Sequence, residues 1–117
     1  MKKRFTVPVA GQKIQISLVQ PKHKVFEGET LHGLTVAHEN KVYFALGYPQ
    51  STFESTYSHE LLGHISFAVA GVDIMLRENL KEGVDPGDFE EEMIRRLDLV
   101  WYPLLTFHKF QFPKVSE

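Results

Sequence analysis

The sequence has no cysteine among its 117 residues. Without thiols the chain forms neither disulfides nor thiolate metal sites, and it suits a reducing compartment. It also has no stretch near the ~18 consecutive apolar residues that a membrane-spanning helix requires. The basic residues 2–4 are followed by alternating rather than continuous apolar residues, so we expect no signal peptide. The sequence therefore predicts a cytoplasmic protein without a membrane partner.

An excess of positive charge is lacking as well. The chain carries 13 Lys and Arg residues against 15 Asp and Glu residues, a formal net charge of −2. Nucleic-acid-binding domains usually carry a basic excess on one face, so we expect no nucleic-acid partner. A content of 43% hydrophobic and 24% charged residues is typical of a folded globular protein. Because the length suits one compact domain, we expect a single domain over residues 1–117.

The N-terminal half is predicted to form two β-hairpins. Apolar residues alternate with polar ones on both sides of a turn at residues 10–12, and again on both sides of residues 38–40. The last arm begins at Lys41 and ends at Leu46. We also predict a short strand at residues 25–26. Together these patterns predict a small antiparallel sheet in which each strand buries one face.

The C-terminal half is predicted to form two long helices. Residues 51–54, Ser-Thr-Phe-Glu, have the form of a capping box, and apolar residues then recur at helical spacing. This pattern predicts a first helix from about residue 52 to residue 70, or on to residue 81, with Gly71 as an interruption. Two long helices after two hairpins indicate an α+β domain, with the helices packed on one face of the sheet.

The second helix is predicted to begin at Asp85 and Pro86, a capping aspartate followed by proline at the first helical position. We expect its apolar stripe to face the core and Pro103 to end or kink it. The stripe comprises Phe89, Met93, Ile94, Leu97, Val100, Trp101 and Leu104.

One hexapeptide on the first helix, His59-Glu60-Leu61-Leu62-Gly63-His64, combines the residue types of a metallopeptidase site. Such a site needs two imidazoles on one helix face and a nearby carboxylate that takes a proton from water. Histidines four apart lie about 40° apart around an α-helix, whereas the spacing of five found here separates them by about 140°. A π-bulge would bring them back together, and Gly63 stands where that distortion is needed. The alternative is a polar helix face that carries two unrelated histidines.

The hexapeptide resembles the zinc motif of the dipeptidyl-peptidase III family, in which the extra residue is tolerated. Residues 33–101 more loosely resemble the small zincin-like metallopeptidases of phages and prophages, which are related to the IrrE-like proteases. The resemblance implies a minimal zincin-like fold and Zn2+ as cofactor, with His59 and His64 as ligands and Glu60 as general base. It further implies that the third ligand is a glutamate on the second helix.

Three consecutive glutamates, residues 90–92, are candidates for that ligand. Glu90 precedes Leu97 by seven residues and therefore points into the apolar face, where a carboxylate is costly unless paired or metal-bound. We therefore favour Glu90. Glu91 is second because the resemblance places the ligand within a glutamate pair. The alternative is that all three favour the helix dipole alone.

The leading functional hypothesis is a zinc-dependent peptidase in which Glu60 is the catalytic base. Its partner is expected to be a peptide or protein that pairs with residues 41–46 as an edge strand. The alternative is a catalytically inactive zincin-like protein, such as a phage-encoded inhibitor or adaptor. A third hypothesis is an unrelated α+β interaction module whose hexapeptide is accidental. His108 is a reserve ligand.

Overall fold

The computed structural model describes residues 3–115 and confirms the α+β class. The strands are β1 (Arg4–Val9), β2 (Gln12–Val19), β3 (Gly33–Val36) and β4 (Lys41–Ala45). The helices are α1 (Gln50–Tyr57), a π-helix (Ser58–Ile65), α2 (Ser66–Val69), α3 (Val72–Asn79) and α4 (Pro86–Phe107). Short 3-10 helices cover Lys24–Phe26 and Ala37–Glu39.

The strands form one sheet in the order β1-β2-β4-β3. Both predicted hairpins are present and antiparallel, but β2 and β4 pair in parallel, so the sheet is mixed rather than wholly antiparallel. This pairing sets the most apolar positions side by side: Ile16 lies opposite Val42, and Leu18 lies opposite Phe44. The two strands with the most buried faces therefore occupy the centre of the sheet.

The prediction that residues 41–46 form an edge strand is wrong. β4 pairs with β2 on one side and with β3 on the other. Its Val42 and Phe44 side chains are fully buried in the core, which a central strand allows. The edge of the sheet on this side is β3, whose residues are all only partly buried. Residues 25–26 are also not a strand: they lie in a 3-10 helix that buries Phe26 and is capped by the His23 side chain.

The core lies between the inner face of the sheet and the helices that follow. Phe44 of β4 packs against Phe53 and Tyr57 of α1, with ring centroids 5.1 and 5.7 Å apart. The predicted capping box is not formed, because α1 begins earlier, at Gln50 after Pro49. Buried members of the core are Ile14, Ile16, Leu18, Val42, Phe44, Phe53, Leu61, Ile65 and Val115.

The first helical region is continuous from α1 to α2 and breaks where the sequence indicates. Gly71 has a φ of 78°, a left-handed conformation that glycine adopts without steric cost, and α3 starts immediately after it. Helix α4 begins as predicted, with the Asp85 side chain accepting hydrogen bonds from the backbone amides of Gly87 and Asp88 at 2.8 and 3.1 Å. It does not end at Pro103 but continues to Phe107.

The apolar stripe of α4 is only partly buried. Ile94 is fully buried, whereas Leu97, Val100 and Leu104 are 36 to 59% exposed. The 22 residues of α4 span about 33 Å, and the helix packs against the shorter π-helix and α3. The expectation that the whole stripe faces the core is therefore wrong, because the helix is longer than its packing partners.

Within residues 3–115, no single helix has the length and apolar character needed to cross a bilayer. One pair, Gln50–Val69 with Val72–Asn79, meets the criterion of length and composition only when both helices are counted together, and it is bent by 70°.

Candidate metal centre

The histidine motif lies in the π-helix Ser58–Ile65, and this helix type accommodates the five-residue spacing of the two histidines. A π-helix closes hydrogen bonds from residue i to residue i+5, so side chains five apart follow one another on the same face. The His59 and His64 rings accordingly lie 5.0 Å apart between centroids. The local distortion that the sequence requires for a shared metal is thus present over the whole motif.

Gly63 allows a second helix to approach the motif. A Cβ atom added at Gly63 would overlap the side chain of Ile94 on α4, which is fully buried at this contact. The absence of a side chain therefore lets α4 lie directly against the π-helix. This close packing brings the acidic first turns of α4 to the two histidines.

Three side chains converge on one point. Glu91 Oε1 lies 2.8 Å from His64 Nε2 and 3.3 Å from His59 Nε2. One ligand atom from each of the three residues lies within 4.8 Å of the others. The arrangement brings together two imidazole nitrogens and a carboxylate oxygen, which is a donor set that binds divalent transition metals.

The outer nitrogen of each imidazole meets a different carboxylate. Asp98 Oδ2 lies 2.6 Å from His59 Nδ1, and Glu90 Oε2 lies 2.6 Å from His64 Nδ1. Asp98 is itself held by the Trp101 indole, which donates to Oδ1 at 2.7 Å. Carboxylates in this position fix the ring orientation of a ligating histidine and leave its Nε2 free to bind.

The site residues favoured from the sequence, other than the reserve ligand His108, are in or beside this cluster, but the two glutamates differ in position. Glu90 does point inward, as its place on the helix predicts, yet it meets His64 at the outer nitrogen and does not reach the point between the histidines. Glu91, the second choice, occupies that point. Of the two glutamates, Glu91 is therefore the one that lies with both histidines in a group that could hold a metal ion, whereas Glu90 contacts the outer nitrogen of His64.

Two further residues were not expected from the sequence. Asp98 follows Glu91 by seven residues, so the same helix face carries both, and this periodicity could have indicated it. Thr35 lies on β3, far from the motif in the chain, and its sequence context carries no such signal. His108 lies outside the metal-ligand group found in residues 3–115; its ring instead contacts that of Phe107.

Glu60 is 7% exposed, and its Oε1 accepts a hydrogen bond from the Thr35 hydroxyl at 2.5 Å. Burial raises the pKa of Glu60, and the opposing effects of Thr35 and the two histidines do not cancel this shift. A carboxylate whose pKa is moved upward towards neutrality accepts a proton more readily, which suits a general base.

The charges of the cluster act on one another. Burial alone would lower the pKa of His64, but the hydrogen bonds that its ring donates to Glu90 and Glu91, together with the charge of Glu60, outweigh this effect, so the pKa is raised. Burial alone would raise the pKa of Glu91, but the hydrogen bond from Arg95 and the nearby histidines lower it overall. A surplus of carboxylates surrounds the imidazoles, and this favours binding of a cation.

An open cleft passes over the cluster alongside β3. Its volume is about 460 Å³, and its walls include Gly33 and Thr35 on one side and both histidines on the other. A Cβ atom at Gly33 would lie 2.6 Å from Thr56 Cγ2 and 3.3 Å from Glu60 Cγ, so glycine lets the edge strand run close above the helix. The site is therefore accessible beside β3, the edge strand of the sheet within residues 3–115.

Comparison of this chain with protein-family models, with curated proteins and with solved structures finds no match.

Proposed function

We propose that this protein is a zinc-dependent peptidase, with His59, His64 and Glu91 as metal ligands and Glu60 as general base. The observation that supports this most directly is the convergence of both Nε2 atoms on Glu91, while Glu90 and Asp98 hold the opposite ring nitrogens. An incidental pair of histidines on a polar face has no reason to be oriented in this way. A cytoplasmic location, expected from the composition, stays a prediction.

The donor set fits zinc. Two histidines and one glutamate, with room left for water, form a common catalytic arrangement for this metal. Neighbouring ligand atoms of a tetrahedral zinc site are separated by about 3.3 Å when metal–ligand bonds are about 2.0 Å. The separations from Glu91 Oε1 to the two Nε2 atoms, 2.8 and 3.3 Å, are close to that spacing.

Zinc held in this way would supply Lewis-acid polarisation of a carbonyl group and would make a water molecule more acidic. Glu60 would take a proton from a water molecule while that water attacks the scissile carbonyl. Glu60 would then deliver the proton to the leaving amine. Thr35 would hold the Glu60 carboxylate in place through its hydroxyl. An extended peptide would add to the free edge of β3, which runs along the same cleft.

The first test is metal content, measured by elemental mass spectrometry on protein purified without a histidine tag. We expect about one zinc per chain, lost in His59→Ala and in His64→Ala but retained in His108→Ala, the matched control outside the cluster. Absence of bound metal after incubation with zinc would rule out this function.

The second test separates metal binding from catalysis. Glu60→Gln should retain zinc while losing cleavage of a mixture of unstructured peptides monitored by mass spectrometry. If Glu60→Gln cleaves as fast as the unaltered protein, Glu60 is not the base.

The second candidate is a metal-containing adaptor without catalytic activity. The exposed apolar side chains of α4 favour it, since Leu97, Val100, Leu104 and Phe107 are all 36% exposed or more. This hypothesis predicts the same metal content but no peptide cleavage by the unaltered protein.

A further inference from the structure

The two halves of the sequence have net charges of opposite sign, although the whole chain has a net charge of only −2. Residues 1–50 contain seven Lys and Arg residues and three Asp and Glu residues, whereas residues 51–117 contain six and twelve. The first half forms the sheet and the second half forms the helices and the metal centre. Such an asymmetry indicates that the sheet side of the molecule attracts anions although the whole chain is slightly acidic.

The outer face of the sheet, opposite the core, concentrates this positive charge. Cross-strand neighbours share a face, and the register places Arg4 opposite Ser17, and Ser17 opposite Tyr43. Lys13 and Lys41 lie on the same face through their pairing with Pro8 and Gln15. Each charged side chain that these strands direct outward is therefore basic.

A concave region of about 730 Å³ lies on this face; we call it the basic cleft. Three cations, Lys3, Arg4 and Lys41, line it together with His23 and Tyr43, and none of the residues described along it is acidic. Glu39 lies 3.7 Å from the Lys41 ammonium, but both side chains are well exposed, so this pair is screened and weak. Among the residues that the structure describes, the lining of the cleft therefore carries a net positive charge.

Two aromatic rings lie among these cations. The His23 and Tyr43 ring centroids are 5.9 Å apart with an interplanar angle of 32°. Single-stranded nucleic acids bind to surfaces that combine cations for the phosphates with aromatic faces on which bases stack. An acidic polypeptide would use the cations but would gain nothing from the rings, which favours the nucleic acid.

In place of the expectation drawn from the net charge, that no nucleic acid is bound, we propose that the basic cleft binds single-stranded nucleic acid, with Lys3, Arg4 and Lys41 contacting phosphates and Tyr43 stacking on a base. This function is independent of the metal centre, which lies on the helical side of the molecule. Because the contacts are to backbone phosphates and a ring face, binding should depend weakly on sequence and strongly on salt.

The test is fluorescence anisotropy with a labelled oligothymidylate of about 15 nucleotides, a length that exceeds the site. With three phosphate contacts, affinity for a single strand should fall about 18-fold between about 50 and about 200 mM salt. Arg4→Glu and Lys41→Glu should each weaken binding by about tenfold or more and reduce the salt dependence. Lys81→Glu, an equal charge change on the helical side, should leave binding unchanged.

The stacking contribution is tested with a pair of variants at one position. Tyr43→Ala should weaken binding by about tenfold without altering the salt dependence, whereas Tyr43→Phe should retain affinity. Circular dichroism establishes that each variant is folded. The proposal is overturned if no oligonucleotide binds at low salt, or if Lys81→Glu weakens binding as much as Arg4→Glu. It is also overturned if poly-glutamate competes fully and Tyr43→Ala has no effect, which would assign the cleft to acidic polypeptides.

Discussion

Gly63 of the π-helix lies directly against Ile94 of α4, with no space for a Cβ atom between them. This contact sets the distance between the helix that carries the histidines and the helix that carries the acidic residues. Ile94 precedes Asp98 by four residues and follows Glu90 by four, so it lies midway between the carboxylates that hold the two imidazoles. The glycine at position 63 therefore fixes how closely the two helices that carry the site approach each other.

Gly63→Ala should separate the two helices and weaken both stability and metal binding. Overpacking of a filled core typically costs about 1–3 kcal/mol, which thermal or urea unfolding measures directly. Titration with zinc should show a parallel loss of affinity. Ile94→Ala provides the control, because it removes the atoms that the new methyl group would strike. In the double variant the destabilisation should be smaller than the sum of the two single effects. Strict additivity would show that the contact is not the cause.

The outer carboxylates should tune metal affinity without being ligands. Asp98→Asn and Glu90→Gln each retain side-chain volume but remove the charge that meets a histidine Nδ1 atom at 2.6 Å. Loss of such a partner typically lowers metal affinity by about 10- to 100-fold. A competition assay with a chromophoric chelator measures this change. Glu92→Gln, which alters the adjacent exposed residue paired with Arg96, is the control and should have no effect.

These positions show what helical periodicity can and cannot predict. The five-residue spacing of the histidines required a distortion, and the π-helix supplies it. Projection around α4 correctly gives Glu90 an inward direction. It does not show how far along the π-helix each glutamate of α4 lies. That axial position depends on the contact between Gly63 and Ile94, which joins segments distant in the chain. Glu91 consequently took the position for which Glu90 was favoured.

The same limit applies to the strands. Alternation identifies both hairpins, but strand order depends on which strand edges of the two hairpins pair, and the pairing of β2 with β4 puts Lys41–Ala45 inside the sheet. Thr35 reaches Glu60 only because the edge strand β3 lies over the π-helix. The stripe on α4 was visible in the sequence, but its exposure depends on how far the neighbouring elements extend.

The metal-free protein should lose stability as pH rises through the His64 titration. The pKa of His64 is raised in the folded state, so its protonated form is favoured by folding. This contribution is fully present below the unfolded pKa of about 6.5 and is lost as pH rises through the higher folded pKa. Thermal unfolding in the presence of a chelator, measured across this range, should therefore show a decline. In His64→Gln the thermal stability should depend less on pH. An unchanged pH dependence in that variant would assign the decline to another group.

Thr35 should act through Glu60 and not through the metal. Its hydroxyl donates to Glu60 Oε1 from the edge strand, so Thr35→Val removes the hydrogen bond while conserving shape. We expect unchanged zinc content and an approximately tenfold lower kcat for peptide cleavage, the scale expected for a misplaced general base. Thr35→Ser should restore most of the activity because it restores the donor. A purely structural role would instead lower thermal stability in Thr35→Val and reduce zinc content along with activity. Measuring both quantities on the same preparations distinguishes the two roles, since only a positioning role separates catalysis from metal binding.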